Sequence, residues 1–244
     1  MNNFIRKAGW RVRRWMRKCS FDVVRFDRQN ADYQILNVIN RRGIEYIVDV
    51  GANRGQFATY IRLQGFSGKI FSFEPLPDAF STLQQAAKED GKIDACNFAL
   101  SDRTGTTTLH VGSNDQTSSF HHVLTTDTAD MEVTHDIIVP IDTLDNILAN
   151  GPLSGIDPSK ILLKLDVQGH ELQALMGGHN SLHYISAVFL EASITKIYEN
   201  EASYFEIIDY LKKYGLMIKS FKGGYYHPKT GSLSQIDILF EKLA

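Results

Sequence analysis

The sequence predicts an α/β fold in which helices cover a mixed sheet. Three observations support this prediction. An apolar strand is followed at once by a glycine turn and a helix, over residues 46–63. A second strand of the same kind follows at residues 69–73. Strand-like and helix-like segments then alternate toward the C-terminus, as they do in sheets built from βαβ units.

The first strand, Tyr46–Val50, is a run of β-branched and aromatic residues. Such a run predicts burial on both faces, as at the centre of a parallel sheet. The strand stops at Gly51, and the residues up to Gly55 carry little side-chain bulk before a predicted helix over Gln56–Leu63, which ends at Gly65. A turn of this kind places backbone N–H groups around a point that a nucleotide-like ligand can approach closely.

The second strand, Lys69–Phe73, is followed by an acid, Glu74, that lies 23 positions after Gly51. An acid about 20 residues beyond a glycine turn is placed to accept hydrogen bonds from ribose hydroxyls. Pro75 stops the strand and fixes the direction of that carboxylate. The turn itself reads G-x-x-x-G, which is neither the dinucleotide fingerprint nor a P-loop.

The middle of the chain continues the alternation. A helix is predicted over Pro77–Asp90 and a third strand over Ile93–Leu100. Ser101 and Asp102 follow that strand at the carboxyl edge, where they could flank an adenine. For Asp102, a plain turn residue ahead of a Thr-Gly pair is an equally good interpretation.

Two further strands, Thr106–Val111 and Glu132–Val139, are separated by a polar loop over residues 113–130. A loop of this length inside a compact domain usually serves as a lid or a binding loop. We expect it to cover the substrate. His121 and His122 within it are better described as surface loop histidines than as bases.

The best candidate for the chemical site follows the next strands. A helix is predicted over Asp142–Leu148, and then a strand buried on both faces, Ile161–Leu165, ends at Asp166. A carboxylate at this edge lies in the crevice where open α/β sheets bind ligands. His170 and Glu171 begin the helix that follows, in its first turn and near the same crevice.

The C-terminal part predicts a fifth strand, Tyr184–Leu190, with Glu191 at its end. A helix over Ala202–Tyr214 follows. Leu216–Phe221 and Ile236–Glu241 are then predicted to form an antiparallel strand pair that closes the sheet.

Four blocks of this sequence carry a resemblance to a known family: Asp49–Gly55, Phe73–Pro75, Ala99–Asp102 and Lys164–Glu171. In their order and spacing they resemble FkbM-type methyltransferases, which use S-adenosylmethionine (SAM), and the likeness runs over about residues 43–191. The resemblance implies a Rossmann-like class I methyltransferase fold, a seven-stranded mixed sheet of order 3-2-1-4-5-7-6 with helices on both faces.

The same resemblance implies SAM as the cofactor. Asp49 is expected near the amino-acid end of SAM and Glu74 at its ribose, although an acid that ends a strand can also cap the turn through backbone N–H groups. The predicted cofactor contacts are Asp49, Gly51, Ala52, Asn53, Gly55, Phe57, Glu74, Pro75, Ser101 and Asp102.

The implied reaction is methyl transfer to a hydroxyl of a sugar, a glycan or glycolipid, or a natural product. Asp166 and His170 are the candidates for orienting or deprotonating that hydroxyl, with Glu171 and Glu191 in support. Alternatively, Asp166 and Glu191 hold a divalent cation that lowers the pKa of the hydroxyl. The metal-free arrangement ranks higher, because two carboxylates at strand ends are common in this fold.

Two other classes of function stay open. An NAD-dependent oxidoreductase also uses a glycine turn and a ribose acid, but the missing central glycine counts against it. A binding or scaffold protein without turnover is kept open by Gln168, because the family more often has Glu at that position. The presence of Asp49, Glu74, Asp166 and His170 argues against a scaffold.

Charge is distributed unevenly along the chain. The formal net charge is −2, but residues 1–28 carry a net charge of +7 and the remainder −9. We therefore expect a basic helical segment over residues 1–40 and a SAM-binding domain over residues 41–244, with no nucleic acid as a partner. A helix over residues 4–18 could lie on an anionic membrane surface, but a terminal helix whose tryptophans dock on the domain is favoured.

Nothing in the sequence has the length of a membrane span or the apolar core of a secretory signal. Cys19 and Cys96 are the only cysteines, which argues against a disulfide framework and a structural zinc site. The expected location is the cytoplasm, with peripheral contact at the inner membrane surface as an option.

Overall fold

Residues 12–19, 26–113, 117–124 and 132–243 are described by the computed structural model. The helices are α1 (12–18), α2 (Ala31–Arg42), α3 (Gln56–Leu63), α4 (Pro77–Asp90), α5 (Leu144–Ala149), α6 (Glu171–Met176) and α7 (Tyr204–Lys212). The strands are β1 (Tyr46–Val50), β2 (Lys69–Phe73), β3 (Ile93–Cys96), β4 (Ala99–Leu100), β5 (Gly105–Gly112), β6 (Val133–Asp142), β7 (Ile161–Leu165), β8 (Ala187–Ser193), β9 (Leu216–Gly223) and β10 (Gln235–Lys242).

The main sheet has seven strands in the order β3-β2-β1-β7-β8-β10-β9. The first five strands of this order, from β3 through β1 to β8, are parallel to one another. Strand β10 is antiparallel to both of its neighbours, β8 and β9. Numbered within the sheet, the order is 3-2-1-4-5-7-6, which confirms the predicted topology. The carboxyl ends of β1, β2, β7 and β8 therefore meet at one edge, where α/β sheets bind their ligands.

The two faces of the sheet are covered by different helices. On one face, α2 and α3 pack through residues such as Ile35 and Ile61, which are fully buried. On the other face, α5, α6 and α7 pack through residues such as Leu144, Leu175 and Leu211. Because both faces are covered, the central strands β1 and β7 are apolar along almost their whole length, which is how their sequences identified them.

The N-terminal boundary of the folded domain lies before residue 40. Helix α2 crosses that predicted boundary, and its Val38 and Ile39 are buried in the core beneath the sheet. The folded domain therefore extends at least from Ala31. Residues 1–11, which include most of the predicted surface helix, lie outside the described residues. Residues 12–18 are helical, and Trp15 is 67% exposed rather than docked on the domain.

Within the part of the chain that the structure describes, every helix is too short or too polar to cross a membrane.

The predicted third strand, Ile93–Leu100, is two strands in two sheets. β3 ends at Cys96, and Asn97 donates from its side chain to the carbonyl oxygens of Glu74 and Pro75, at 2.8 and 3.2 Å. The apolar pattern continues across this break because Phe98 packs edge to face on Phe73. β4 then pairs with β6.

The small second sheet has the order β4-β6-β5. Its strand β6 continues to Asp142, so the following helix α5 begins at Leu144 rather than at Asp142. Thr143 caps that helix, because its side chain accepts from Asn146 N. This sheet carries the loop that reaches the carboxyl edge of the main sheet.

The predicted fifth strand, Tyr184–Leu190, is displaced by three residues. Strand β8 runs from Ala187 to Ser193, and Tyr184 follows a 3₁₀ turn instead. Glu191 is therefore inside a strand rather than at its end. Its partner in the antiparallel pairing is Asp237 of β10, so two acids lie directly opposite each other on adjacent strands.

Candidate functional site

A cavity of about 570 Å³ opens at the carboxyl ends of β1, β2, β7 and β8. Part of the described loop, including Phe120, lines one side of it, as the prediction of a covering loop requires. Residues 114–116 and 125–131 of that loop lie outside the described residues. The predicted site residues that line this cavity are Gly51, Ala52, Asn53, Phe57, Glu74, Pro75, Asp166 and Glu191.

The glycine turn gives the cavity its floor. Gly51 has φ 70, and a Cβ added there would lie 1.8 Å from the carbonyl oxygen of Asp166. Only glycine therefore lets the turn after β1 pass the turn after β7 at this distance. The turn does not offer free donors, however. Gly51 N and Ala52 N both donate to Phe73 O at 3.0 Å, and Gly55 N donates to Ala52 O at 2.8 Å.

Glu74 stands in the cavity wall with both carboxylate oxygens in contact with backbone. Oε2 accepts from Asn53 N and Oε1 accepts from Leu76 N, each at 2.8 Å. Burial raises the pKa of Glu74 to about 7. The carboxylate thus ties the glycine turn to the end of β2, and each oxygen retains a lone pair for a ligand donor.

Asp49 does not line the cavity. It is fully buried, and Lys164 Nζ lies 3.0 Å from its Oδ1. Lys164 also donates to Gly51 O at 3.0 Å and lies 3.8 Å from Asp166 Oδ2. Burial disfavours the ammonium, but Asp49 and Asp166 outweigh burial and raise the pKa of Lys164. No backbone N–H of the described residues donates to Asp49, so the alternative of a capped turn is not observed.

Gln168 connects the residues around the mouth of the cavity. Its Nε2 donates to Asp166 Oδ1 at 2.9 Å and to Glu191 Oε2 at 3.3 Å. Its Oε1 accepts from Tyr198 OH at 2.9 Å, and its carbonyl oxygen accepts from Ser119 Oγ at 2.6 Å. Gln168 has φ 52, a conformation that costs a residue with a side chain about 1–2 kcal/mol. These four contacts stabilise that conformation.

Glu191 and Asp237 line the cavity next to Asp166. Gln235 Nε2 donates to Glu191 Oε2 at 2.7 Å. Burial, followed by the charge of Asp166, raises the pKa of Glu191 to about 9 and that of Asp237 to about 6. Three carboxyl groups therefore share one region of the cavity.

His170 lies behind the cavity wall. Its Nε2 is 2.9 Å from Ser101 Oγ, and its Nδ1 is 3.2 Å from His121 Nε2. Its ring centroid lies 4.7 Å from that of Phe120, which lines the cavity, whereas His170 does not. Burial, with His121 beside it, lowers the pKa of His170 to about 3, so its ring is neutral at pH 7. His121 is half-buried here, whereas His122 is exposed and stacks on His110.

The remaining predicted residues support the turns around the cavity. Glu171 is buried, and its Oε1 accepts from Val167 N at 3.0 Å and from Gly169 N at 3.3 Å. Burial raises the pKa of Glu171 to about 7. Asp102 is exposed and pairs with Arg103 at 3.3 Å. The predicted residues that do not line the cavity are Asp49, Gly55, Ser101, Asp102, His170 and Glu171.

Sequence reasoning did not assign roles to Lys164, Gln235 or Asp237. For Lys164 a signal was present, since it is the single charge in the apolar strand Ile161–Leu165. A lysine in such a strand must have a buried partner. Gln235 and Asp237 gave no comparable signal, because their position depends on the pairing of β10 with β8.

A family model described as "Methyltransferase FkbM domain" matches residues 49–216, which is more than half of the chain. The match begins at Asp49 and includes every cavity-lining residue named above from Gly51 to Glu191.

Two named relatives have similar sequence identities to this chain. The chain is 26% identical over 144 residues to hexuronic acid methyltransferase AglP of Haloferax volcanii, and the match covers 59% of this chain and 54% of AglP. It is 25% identical over 186 residues to 2-O-methyltransferase NoeI of Sinorhizobium fredii, with 72% of this chain and 75% of NoeI covered.

Among solved structures, the crystal structure of methyltransferase FkbM from Methylobacillus flagellatus KT has a TM-score of 0.50 and 16% sequence identity. The likeness covers 80% of this chain and 43% of that chain, and it supports the fold alone. The chain spans about half the length of AglP and less than half of the crystallised protein.

Proposed function

The chain belongs to the FkbM methyltransferase family, and we propose that it transfers the methyl group of SAM to a hydroxyl oxygen of a sugar or glycan. A glycolipid or a sugar-like natural product would present the same chemical group. The names of AglP and NoeI support a sugar acceptor, since one specifies a hexuronic acid and the other a 2-O position.

The observation that carries this proposal is the position of Glu74 and Asp166 on one cavity, with the glycine turn as its floor. The two acids follow β2 and β7, which flank β1 on either side. This arrangement provides one place for a nucleoside and, beside it, a carboxylate for chemistry. It is the crevice that the carboxyl ends of a doubly wound sheet create.

The lining residues fit SAM. Gly51 and Ala52 line the cavity with little side-chain bulk, so a ligand can approach the main chain there. Glu74 can accept hydrogen bonds from ribose hydroxyls through the lone pairs that Asn53 N and Leu76 N leave free. Pro75, Leu76 and Ala99 supply an apolar surface for an adenine. Asp49 would act through Lys164, because Asp49 itself does not reach the cavity.

When bound, SAM would supply an electrophilic methyl group: the bond from the acceptor oxygen to the methyl carbon would form as the carbon–sulfur bond breaks, and the sulfur would leave as a neutral thioether. Asp166 is the residue that would hold the acceptor hydroxyl and receive its proton. Its carboxylate is oriented by Gln168 Nε2, which donates to Oδ1 at 2.9 Å, and its Oδ2 lies 3.8 Å from Lys164 Nζ. Holding the hydroxyl in one orientation lowers the barrier to methyl transfer, because the reacting groups are already positioned.

His170 and Glu171 would then be positioning residues. Glu171 fastens the turn that follows Asp166, and His170 joins this turn to Ser101 and to the covering loop. A neutral imidazole with a pKa of about 3 is a weak proton acceptor at pH 7. This supports Asp166 as the group that contacts the acceptor.

We propose a metal-free reaction. The side-chain amide of Gln168 directs its two N–H groups to Asp166 and Glu191, the pair that would have to hold a cation. An amide that donates to both carboxylates occupies the position that a shared divalent ion requires.

The test is calorimetric titration of the purified protein with S-adenosylhomocysteine (SAH), the demethylated product, with NAD as the comparison ligand. SAH should bind and NAD should not. Binding of NAD alone would support the oxidoreductase alternative. Failure of both ligands to bind would reject the proposed cofactor and leave a scaffold role.

A further inference from the structure

The cavity extends beyond Asp166 into a region that SAM would not need for its ribose and adenine. Its walls there come from β8 and β10, with Glu191, Gln235 and Asp237 as the polar groups. Aromatic rings form the rest of the surface. Phe57 stacks on Phe189 with ring centroids 6.0 Å apart, and Tyr60 and Tyr225 line the same region. We call this region, defined by these residues, the distal half of the cavity.

The polar groups of the distal half are mainly hydrogen-bond acceptors without donors. Gln235 and Gln168 both donate to Glu191 Oε2. Glu191 Oε1 and the Asp237 carboxylate receive no hydrogen bond from any residue that the structure describes. Half-buried carboxylate oxygens without donors are costly unless a ligand or water supplies the hydrogen bonds.

The two lysines that line the cavity are already paired. Lys164 is bound to Asp49 beneath the floor. Lys222 Nζ lies 3.1 Å from Asp32 Oδ1 and 4.9 Å from the centre of the Tyr60 ring. Tyr60 OH donates to the same Asp32 oxygen at 2.7 Å. A ligand carboxylate entering the distal half would therefore have to share one of these ammonium groups with a carboxylate that already contacts it.

We propose that the distal half binds an uncharged or cationic sugar, rich in hydroxyl or ammonium donors, and excludes a sugar that carries a carboxylate. This inference rests on the proposed function, because it names the acceptor class of the same site. Hydroxyls would donate to Glu191 and Asp237, and the ring face would pack on the aromatic wall. A site built from acceptors rejects an anion because like charges repel in a region of reduced solvation.

The protonation of the distal half agrees with this selectivity. Burial, followed by the charge of Asp166, raises the pKa of Glu191 to about 9 and that of Asp237 to about 6. Near pH 7 Glu191 is therefore protonated, and Asp237 is the distal group that carries the charge repelling an anion. A bound carboxylate would add a further negative charge to this group, whereas a bound ammonium would lower both pKa values and favour ionised carboxylates.

The experiment measures binding of three matched probes to the protein saturated with SAH: methyl glucoside, glucosamine and glucuronate. Titrations are followed by ligand-observed NMR at one ionic strength. Glucosamine and methyl glucoside should bind. Glucuronate should bind at least roughly tenfold more weakly than methyl glucoside. Asp237→Asn should reduce the difference in affinity between glucuronate and methyl glucoside. Asp209→Asn makes the same charge change on an exposed face of α7 and should leave the difference unchanged.

Glucuronate binding as tightly as methyl glucoside would overturn the proposal. Absence of binding by all three probes would also overturn it, provided that SAH still binds. Failure of SAH itself to bind is a different result, which rejects the proposed function instead. The SAH affinity and thermal midpoint of Asp237→Asn, measured in the same samples, show that the variant is folded.

Discussion

Lys164 Nζ lies 3.0 Å from Asp49 Oδ1, and both side chains are buried beneath the glycine turn. The same ammonium donates to Gly51 O, so one lysine connects β7 to β1 and to the floor of the cavity. A buried pair of this kind costs a large desolvation free energy, which the ion pair and the carbonyl contact offset. The pair therefore links the stability of the sheet to the shape of the site.

Replacing Lys164 by Met should destabilise the protein by about 3–5 kcal/mol, because Asp49 would be left as an unpaired buried carboxylate. Urea unfolding measures this change. The matched control is Lys212→Met, which removes one partner of an exposed pair with Asp209 and should cost less than about 1 kcal/mol. Equal costs for the two variants would contradict a structural role of the Lys164–Asp49 pair.

Replacing Gly51 by Ala should abolish SAH binding and destabilise the fold. The added Cβ would lie 1.8 Å from Asp166 O, so the turns after β1 and β7 must separate. Gly91→Ala is the control, since Gly91 has φ 74 and no atom within 4 Å of the added Cβ. That variant should lose only about 1–2 kcal/mol of stability through backbone strain. SAH binding by Gly51→Ala with wild-type affinity would show that the close approach is unimportant.

Replacing Gln168 by Glu should destabilise the protein more at about pH 8 than at about pH 6, because a further carboxylate would join Asp166, Glu191 and Asp237. Gln168→Met removes the same donors without adding charge. Gln168→Met should lose about 1–3 kcal/mol of stability, because it leaves polar groups unpaired, and this loss should be similar at both pH values. Unfolding by urea at each pH distinguishes the two variants. A loss of stability that is the same at both pH values for Gln168→Glu would mean that the new carboxylate does not interact with the neighbouring acids.

The pKa of Glu191 predicts a change in stability with pH. Its ordinary value of 4.5 is raised to about 9 in the folded state. Between these values the folded protein keeps a proton that the unfolded chain has released, so the free energy of unfolding decreases as pH rises.

Glu191→Gln should therefore make the decrease in stability between about pH 7 and pH 9 shallower, by up to roughly 1.4 kcal/mol per pH unit. Glu89→Gln, at an exposed position of α4, changes the charge equally and should leave the slope as in the wild type. Parallel slopes for wild type and Glu191→Gln would show that Glu191 titrates normally.

Local sequence patterns were sufficient for the elements that flank the glycine turn. Tyr46–Val50, Gln56–Leu63, Pro77–Asp90 and Ile161–Leu165 have the bounds that the sequence predicts. In each case a glycine, a proline or an acid marks the end of an apolar run. Glu74 and Asp166 could be placed on one edge because both follow strands that pair with β1.

Long-range pairing determined what the sequence did not reveal. The break at Asn97 is hidden by the apolar residues on both sides of it, and β4 has its partner in a strand more than thirty residues later. The pairing of Glu191 with Asp237 depends on the register of β10 against β8. His170 does not line the cavity, and its ring contacts that of Phe120, a cavity-lining residue of a loop that is distant in sequence.

The central claim is that Glu74 binds the ribose of SAM, and a double comparison tests it most directly. SAH and its 2′-deoxy analogue are titrated into the wild type and into Glu74→Ala, with Glu89→Ala as a control. In the wild type and the control, the analogue should bind roughly tenfold more weakly, because it lacks a hydrogen bond to a charged group. In Glu74→Ala both ligands should bind weakly and equally. If Glu74→Ala retained the full preference for the 2′-hydroxyl, the assignment of Glu74 to the ribose would be wrong.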